Sequence, residues 1–170
     1  MADNVITGFA AVFGVETDIG GYFRERLAKG AFTRTLKERP DVVMPLNHDS
    51  GRVLGRTSAG TLSLRENSGG LYFSLTVDPT TPEGQTALGT VGRRDVQGCS
   101  FGFRVKAEEW AFEEDDYRLP LRTITDVDLY EITLTGFPAY PTTTAALRAS
   151  NSDAARRRIE AAQRKRGILR

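Results

Sequence analysis

The chain has 170 residues, 39% of them apolar and 26% charged, with a net charge of +1, which suits one soluble domain with a real core. No run approaches the ~20 consecutive apolar residues of a membrane span, and a single cysteine rules out an internal disulfide framework and fits a reducing compartment. One histidine and one cysteine leave a zinc site built from those ligands unexpected, and the absence of GxxxxGK[ST] removes the P-loop reading.

The amino terminus, Met1-Ala2-Asp3-Asn4, has neither a basic nor an apolar leader region, which argues against export. Residues 5–13 (VITGFAAVF) read as a strand whose glycine marks a bulge or bend. Thr17-Asp18-Ile19-Gly20-Gly21 is a turn. Phe32 and Leu36 at helical spacing predict a short helix over 31–38, which Pro40 helps to end. Residues 42–46 form a compact apolar strand that runs straight into Asn47-His48-Asp49, and 53–56 continue in extended form. Residues 61–65 and 71–77 predict a hairpin joined by Glu66-Asn67-Ser68-Gly69-Gly70. Thr81-Pro82-Glu83 has the chemistry of a helix start, with Thr81 as the cap, and that helix ends near Gly92.

The strand around Ser100 follows. Residues 108–116 are an acidic stretch around Trp110 and Phe112, read as a long hairpin excursion, and 117–125 and 127–135 read as two further strands. Phe137-Pro138-Ala139-Tyr140-Pro141 closes the body as a rigid loop. About seven or eight short strands with two or three helices do not alternate as βαβ units, so the expected class is α+β, mainly β: a barrel or sandwich with helices packed outside.

The charge is uneven. Residues 148–170 hold eight Lys and Arg against Asp153 and Glu160, a net +6, which leaves the rest at −5. Two parts are therefore expected: a body over 1–147 and a basic tail over 148–170. Ala155, Ile159 and Ala162 give the tail only a narrow apolar stripe, so it is read as helical or disordered until it meets a partner.

The chemistry is sought first at Gly98-Cys99-Ser100-Phe101-Gly102-Phe103-Arg104-Val105. The alternation of Phe101, Phe103 and Val105 predicts a half-buried strand, with Ser100 at its start between glycines that let a peptide approach. Ser100 is a candidate nucleophile; a plain Gly/Ser turn is the competing reading. His48, the only histidine, is the natural general base at neutral pH. A third member should be an acceptor that orients the imidazole. Residues 125–134 offer Asp126, Asp128 and Glu131. Strict alternation puts Val127, Leu129, Glu131 and Thr133 on one face, and Asp126, Asp128, Tyr130 and Ile132 on the other. Neither face is cleanly apolar. Glu131, deeper in the run, is the first choice and Asp128 the second, while a salt bridge from Glu131 to Arg104 or Arg122 is the structural alternative. Cys99 is intrinsically the better nucleophile, yet neighbours on a strand face opposite ways, so only one of Cys99 and Ser100 can meet His48.

Asn47-His48-Asp49, Leu54-Gly55-Arg56, Ser100-Phe101-Gly102-Phe103, Asp128-Leu129-Tyr130-Glu131-Ile132 and Pro138-Ala139-Tyr140-Pro141, in this order, resemble the prohead (procapsid maturation) proteases of tailed bacteriophages. Gly8-Phe9-Ala10 and Gly30-Ala31-Phe32 fit the same pattern, and the likeness covers 5–146. It implies a serine endopeptidase that clips scaffold segments and itself inside the immature capsid, in the host cytoplasm. It also implies kinship with the herpesvirus assemblins and their β-barrel with helices around it. Carried over by position, His48 is the base, Ser100 the nucleophile and Glu131 the orienting acid. Assemblins use a second histidine as third member; this chain has none, so a carboxylate fills that role or a dyad remains.

The loop 136–140 follows the Glu131 strand, which makes Gly136 and Ala139 candidate oxyanion donors, since Pro138 has no N–H. Arg52 and Arg56 are candidate substrate holders or plain surface charge. Expected partners are the major capsid protein with its scaffold segment or a scaffold protein, and a second copy of the chain. No cofactor, membrane or specific nucleic acid is expected. Two rivals remain: a non-catalytic capsid assembly protein, and a general serine hydrolase, which the missing G-x-S-x-G elbow weakens.

Overall fold

The computed structural model describes residues 4–38, 40–112 and 118–147, so the basic tail expected over 148–170 lies outside the described residues. Among the described residues ten strands and two helices follow one another. They are β1 (Val5–Val12), β2 (Thr17–Ile19), β3 (Phe23–Leu27), α1 (Thr33–Lys37), β4 (Val43–Leu46), β5 (Asp49–Arg56), β6 (Leu62–Glu66), β7 (Gly70–Thr76), α2 (Pro82–Gly92), β8 (Gly98–Ala111), β9 (Leu121–Thr135) and β10 (Ala146–Leu147).

They form two sheets. One has the order β10-β1-β7-β6; the other runs β2-β3-β9-β4-β5, with β8 also paired to β9. The mainly-β expectation holds, but ladder hydrogen bonds among the described residues do not close the sheets into a barrel. Alternating apolar positions from both sheets, Ile6, Phe73 and Leu75 on one and Leu27, Met44, Ile124, Ile132 and Leu134 on the other, bury into one core. Phe32, just before α1, stacks against Phe13 at 6.2 Å between ring centroids and meets Phe101 edge-on at 6.1 Å.

Local sequence accounts for much of this. The Thr81 hydroxyl accepts from the Gly84 N–H at 3.1 Å and caps α2, which ends at Gly92 as read. The 62–76 hairpin forms with its predicted partners. Three readings need correction. The irregularity of β1 falls between Phe9 and Ala11, not at Gly8. Thr17–Ile19, read as a turn, pairs with β3, so the turn itself is left to Gly20 and Gly21. Finally, 117–125 and 127–135 are not two strands: β9 runs unbroken for 15 residues, because β3 pairs with its first half, β4 with its second and β8 with its whole length.

Candidate active site

β9 is the axis of the site. Ser100 on β8 pairs with Thr133, and Gly102 with Glu131. Cross-strand partners in an antiparallel ladder share a face, so Ser100, Gly102, Thr133 and Glu131 lie on one side of the sheet. On the other side Cys99 pairs with Leu134 and Phe101 with Ile132, all buried.

The faces differ from strict alternation. The register slips between Gly102 and Phe103, so Tyr130 has no partner and forms a bulge in β9. Leu129 and Ile132, three apart, therefore both point into the core, while Glu131 turns outward beside Thr133. Grouping Glu131 with Val127 and Leu129 is wrong for this reason: an unpaired residue inverts the pattern C-terminal to it.

His48 arrives from the opposite side of β9. Leu46 of β4 pairs with Asp49 of β5, which leaves Asn47 and His48 as a two-residue hairpin loop. Both have left-handed backbones, with φ of 52° and 57°, as a type I′ turn requires. Two bonds dock this turn on β9: the Asn47 N–H donates to Leu134 O at 2.9 Å and the His48 N–H to Thr133 Oγ1 at 3.0 Å. The Thr133 hydroxyl in turn donates to Pro45 O at 2.8 Å. Thr133 was named in the sequence only as a neighbour of Glu131. Its place opposite Ser100 is the signal that finds it.

With the turn held there, His48 Nδ1 lies 2.5 Å from Glu131 Oε1. The carboxylate accepts, so Nδ1 carries the hydrogen of this bond, and in the neutral ring that leaves the lone pair on Nε2. The pair is partly open to solvent, with side-chain exposures of 52% for His48 and 24% for Glu131. Ser100 is 8% exposed. Among the described residues no hydrogen bond reaches its hydroxyl. The structure thus joins His48 to Glu131 and sets Ser100 on the same face of the sheet without bonding it to His48.

The second-choice acid is committed elsewhere. Asp128 binds Arg34 Nη2 at 2.6 Å and Asp126 binds Arg34 Nε at 2.8 Å, and the Arg34 guanidinium holds the Asp128 carboxyl below its usual range. Arg122, offered as a partner for Glu131, bonds Glu25 and Glu108 instead. Arg56 forms an ion pair with Asp41, which that guanidinium lowers to about 2, so Arg56 is not a free substrate cation. Cys99 is fully buried and its thiol is pushed well up by burial, a small core residue rather than a nucleophile.

Gly98-Cys99-Ser100-Phe101-Gly102 spells G-x-S-x-G, so the motif taken as missing is present in letters. It is extended strand and not a strand–turn–helix elbow, and the hydrolase reading still lacks its structural context. The glycines have another reason here. A Cβ on Gly98 would lie 2.7 Å from Pro138 Cγ; one on Gly102 would lie 2.7 Å from Tyr130 Cε2 and 3.1 Å from Glu131 Cβ.

The loop beyond β9 is tied down from the core. The Thr143 hydroxyl donates to Cys99 O at 2.6 Å and accepts from the Cys99 N–H at 3.0 Å. Tyr140 lies against Phe101 at 5.2 Å and donates a short bond to the buried Glu25. Burial first, then that carboxylate, pushes the Tyr140 phenol up. The Phe137 N–H donates to Thr135 Oγ1 at 3.1 Å. Among the described residues no group of three His, Cys, Asp or Glu converges on a metal position, and no helix is long and apolar enough to cross a membrane.

A family described as "Caudovirus prohead serine protease" matches residues 1–158. No curated protein matches. Among solved structures, the varicella-zoster virus protease aligns at 12% identity and a TM-score of 0.48, over 89% of this chain and 72% of that one. The KSHV protease in complex with a hexapeptide phosphonate inhibitor aligns at 13% identity and a TM-score of 0.48, over 94% of this chain and 76% of that one.

Proposed function

The chain belongs to the caudovirus prohead serine protease family, and on that premise we propose that it is an endopeptidase with Ser100 as nucleophile, His48 as general base and Glu131 as orienting acid. Membership makes it a serine protease of capsid maturation, acting inside the procapsid. The observation that carries the residue assignment is the 2.5 Å contact between His48 and Glu131, on a turn docked to the strand next to Ser100.

In this reading His48 Nε2 takes the Ser100 proton as Oγ attacks a peptide carbonyl. Glu131 fixes the tautomer and stabilises the imidazolium. His48 then protonates the leaving amine, and water resolves the acyl-enzyme. The Phe137 N–H is engaged by Thr135 and Pro138 has none, so Gly136 and Ala139 remain the oxyanion donors we favour. The substrates are the scaffold segment of the major capsid protein, or a scaffold protein, and the chain itself. A pair of chains is the proposed active unit. Residues 1–147 are the catalytic body; the basic 148–170 segment docks acidic scaffold or capsid surface and is later removed by self-cleavage.

Co-expression with the capsid protein and scaffold, comparing wild type with Ser100→Ala and Cys99→Ala, tests this. Full-length precursor and protease with Ser100→Ala alone is the expected result. Processing that survives Ser100→Ala refutes the nucleophile. A wild type that cleaves nothing inside assembled procapsids leaves the assembly-protein reading. A chain ending near Ser150 that still enters procapsids eliminates the docking role of the tail.

A further inference from the structure

Ser100 stands between two rings. On its own face of β8 the neighbours at two residues either way are Gly98 and Gly102, and each glycine is covered by a side chain from elsewhere: Pro138 over Gly98, Tyr130 over Gly102. Strand rise separates the two glycines by roughly 13 Å, room for one substrate residue above Ser100. Tyr130 is 57% exposed and its ring lies close to the sheet, with Cε2 and Cζ reaching from β9 across to β8. The bulge that turns Glu131 outward is Tyr130 itself, so one irregularity delivers both residues to the site face.

We infer that the Tyr130 ring is the wall of the substrate slot that receives the side chain of the residue whose carbonyl Ser100 attacks, and that it favours an apolar side chain there. This rests on the proposed catalytic roles of Ser100 and His48. The leaving amine must take its proton from His48, which sits across β9 from Ser100. The acyl half of the substrate therefore runs the other way, over β8, where the ring lies. An exposed aromatic face gains from contact with apolar surface, and an aliphatic side chain is bound there more tightly than a methyl group.

Aminoalkyl diphenyl phosphonates carrying an alanine or a leucine side chain probe this directly. Ser100 Oγ bonds to phosphorus, one P–O bond breaks, and phenoxide leaves as phenol with the proton that His48 took. An alkyl fluorophosphonate, which has no amino-acid side chain and loses fluoride, reports Ser100 reactivity alone. Intact-mass labelling rates are expected to favour the leucine probe over the alanine probe by about tenfold in wild type and in Tyr130→Phe. In Tyr130→Ala that ratio falls towards one, each probe's rate being divided by the variant's own fluorophosphonate rate. A leucine-to-alanine ratio that Tyr130→Ala leaves unchanged, or no preference in wild type, overturns the inference while the nucleophile stands. No fluorophosphonate adduct on Ser100 in wild type removes the nucleophile and the slot with it.

Discussion

His48 occupies a backbone conformation that a side chain with a Cβ resists, with φ of 57° after Asn47 at 52°. That costs about 1–2 kcal/mol, and glycine would relieve it. His48→Gly is therefore expected to abolish fluorophosphonate labelling while leaving Tm unchanged or higher, as at sites where strain serves chemistry. A Tm several degrees lower would mean that His48 holds the fold rather than the site. Thr133 makes the converse case. Thr133→Val keeps the shape but leaves the His48 N–H and Pro45 C=O without their partner, a loss of about 1–3 kcal/mol. Thermal melts should show that loss and labelling should fall with it, whereas Thr133→Ser restores both. Labelling that stays at wild-type level in Thr133→Val contradicts the docking role.

At the scale of elements, the β8–β9 ladder decides which residues reach the site. Gly102→Ala introduces a Cβ against Tyr130 and Glu131. The exposed ring swings aside at little cost, but the Glu131 backbone has to shift, so labelling should drop at least about tenfold with little change in Tm. Equal losses in both would point to a packing role for the glycine. α1 clamps the same strand: Arg34 bonds Asp126, Asp128 and Val127 O, and the Thr35 hydroxyl accepts from the Leu129 N–H at 3.1 Å.

The Asp128 carboxyl, lowered first by Arg34, and the Asp41 carboxyl, lowered to about 2 by Arg56, have folded values below the unfolded value near 4. Their contribution to stability is present above pH ~4 and lost as pH falls towards ~2. Tm should decline across that window, and Arg34→Ala should flatten the decline. An unchanged slope would show that the Arg34 pairs do not bear on the fold.

Much of this site was legible in the sequence because its signals are local. His48 follows an apolar strand, Ser100 is bracketed by glycines, and a carboxylate lies inside a strand, where it needs a partner. The order of those motifs did the rest. Other features were not legible because they come from pairing. The bulge at Tyr130 exists only once β8 sets the register, and alternation counted along β9 alone gives Glu131 the wrong neighbours. The strand at 23–27 escapes notice because Phe-Arg-Glu-Arg-Leu is charged, and its Glu25 is buried only because Arg122 and Tyr140 meet it there. The glycines at 98 and 102 read as room for another chain to approach; what comes close to them in the fold is a side chain of this one, Pro138 at Gly98 and Tyr130 at Gly102.

Across the whole molecule, the loop after β9 is tied to distant elements. Glu25 from β3 is 6% exposed and meets Arg122 of β9 at 3.0 Å and the Tyr140 hydroxyl, while Tyr140 stacks on the strand that carries Ser100. A buried carboxylate that loses one of its donors is costly. Tyr140→Phe should therefore lower Tm by several degrees and slow Ser100 labelling by loosening the 136–141 loop. A Tm equal to wild type would show that Arg122 alone suffices for Glu25.

In the proposed mechanism His48, held by Glu131, activates Ser100 and not Cys99. Reaction of wild type, Ser100→Ala, Cys99→Ala and His48→Gly with an alkyl fluorophosphonate, followed by peptide mapping of the adduct, tests it most directly. A single adduct on Ser100 is expected in wild type and Cys99→Ala, and none in the other two. An adduct on Cys99, or one that persists in Ser100→Ala, would contradict it.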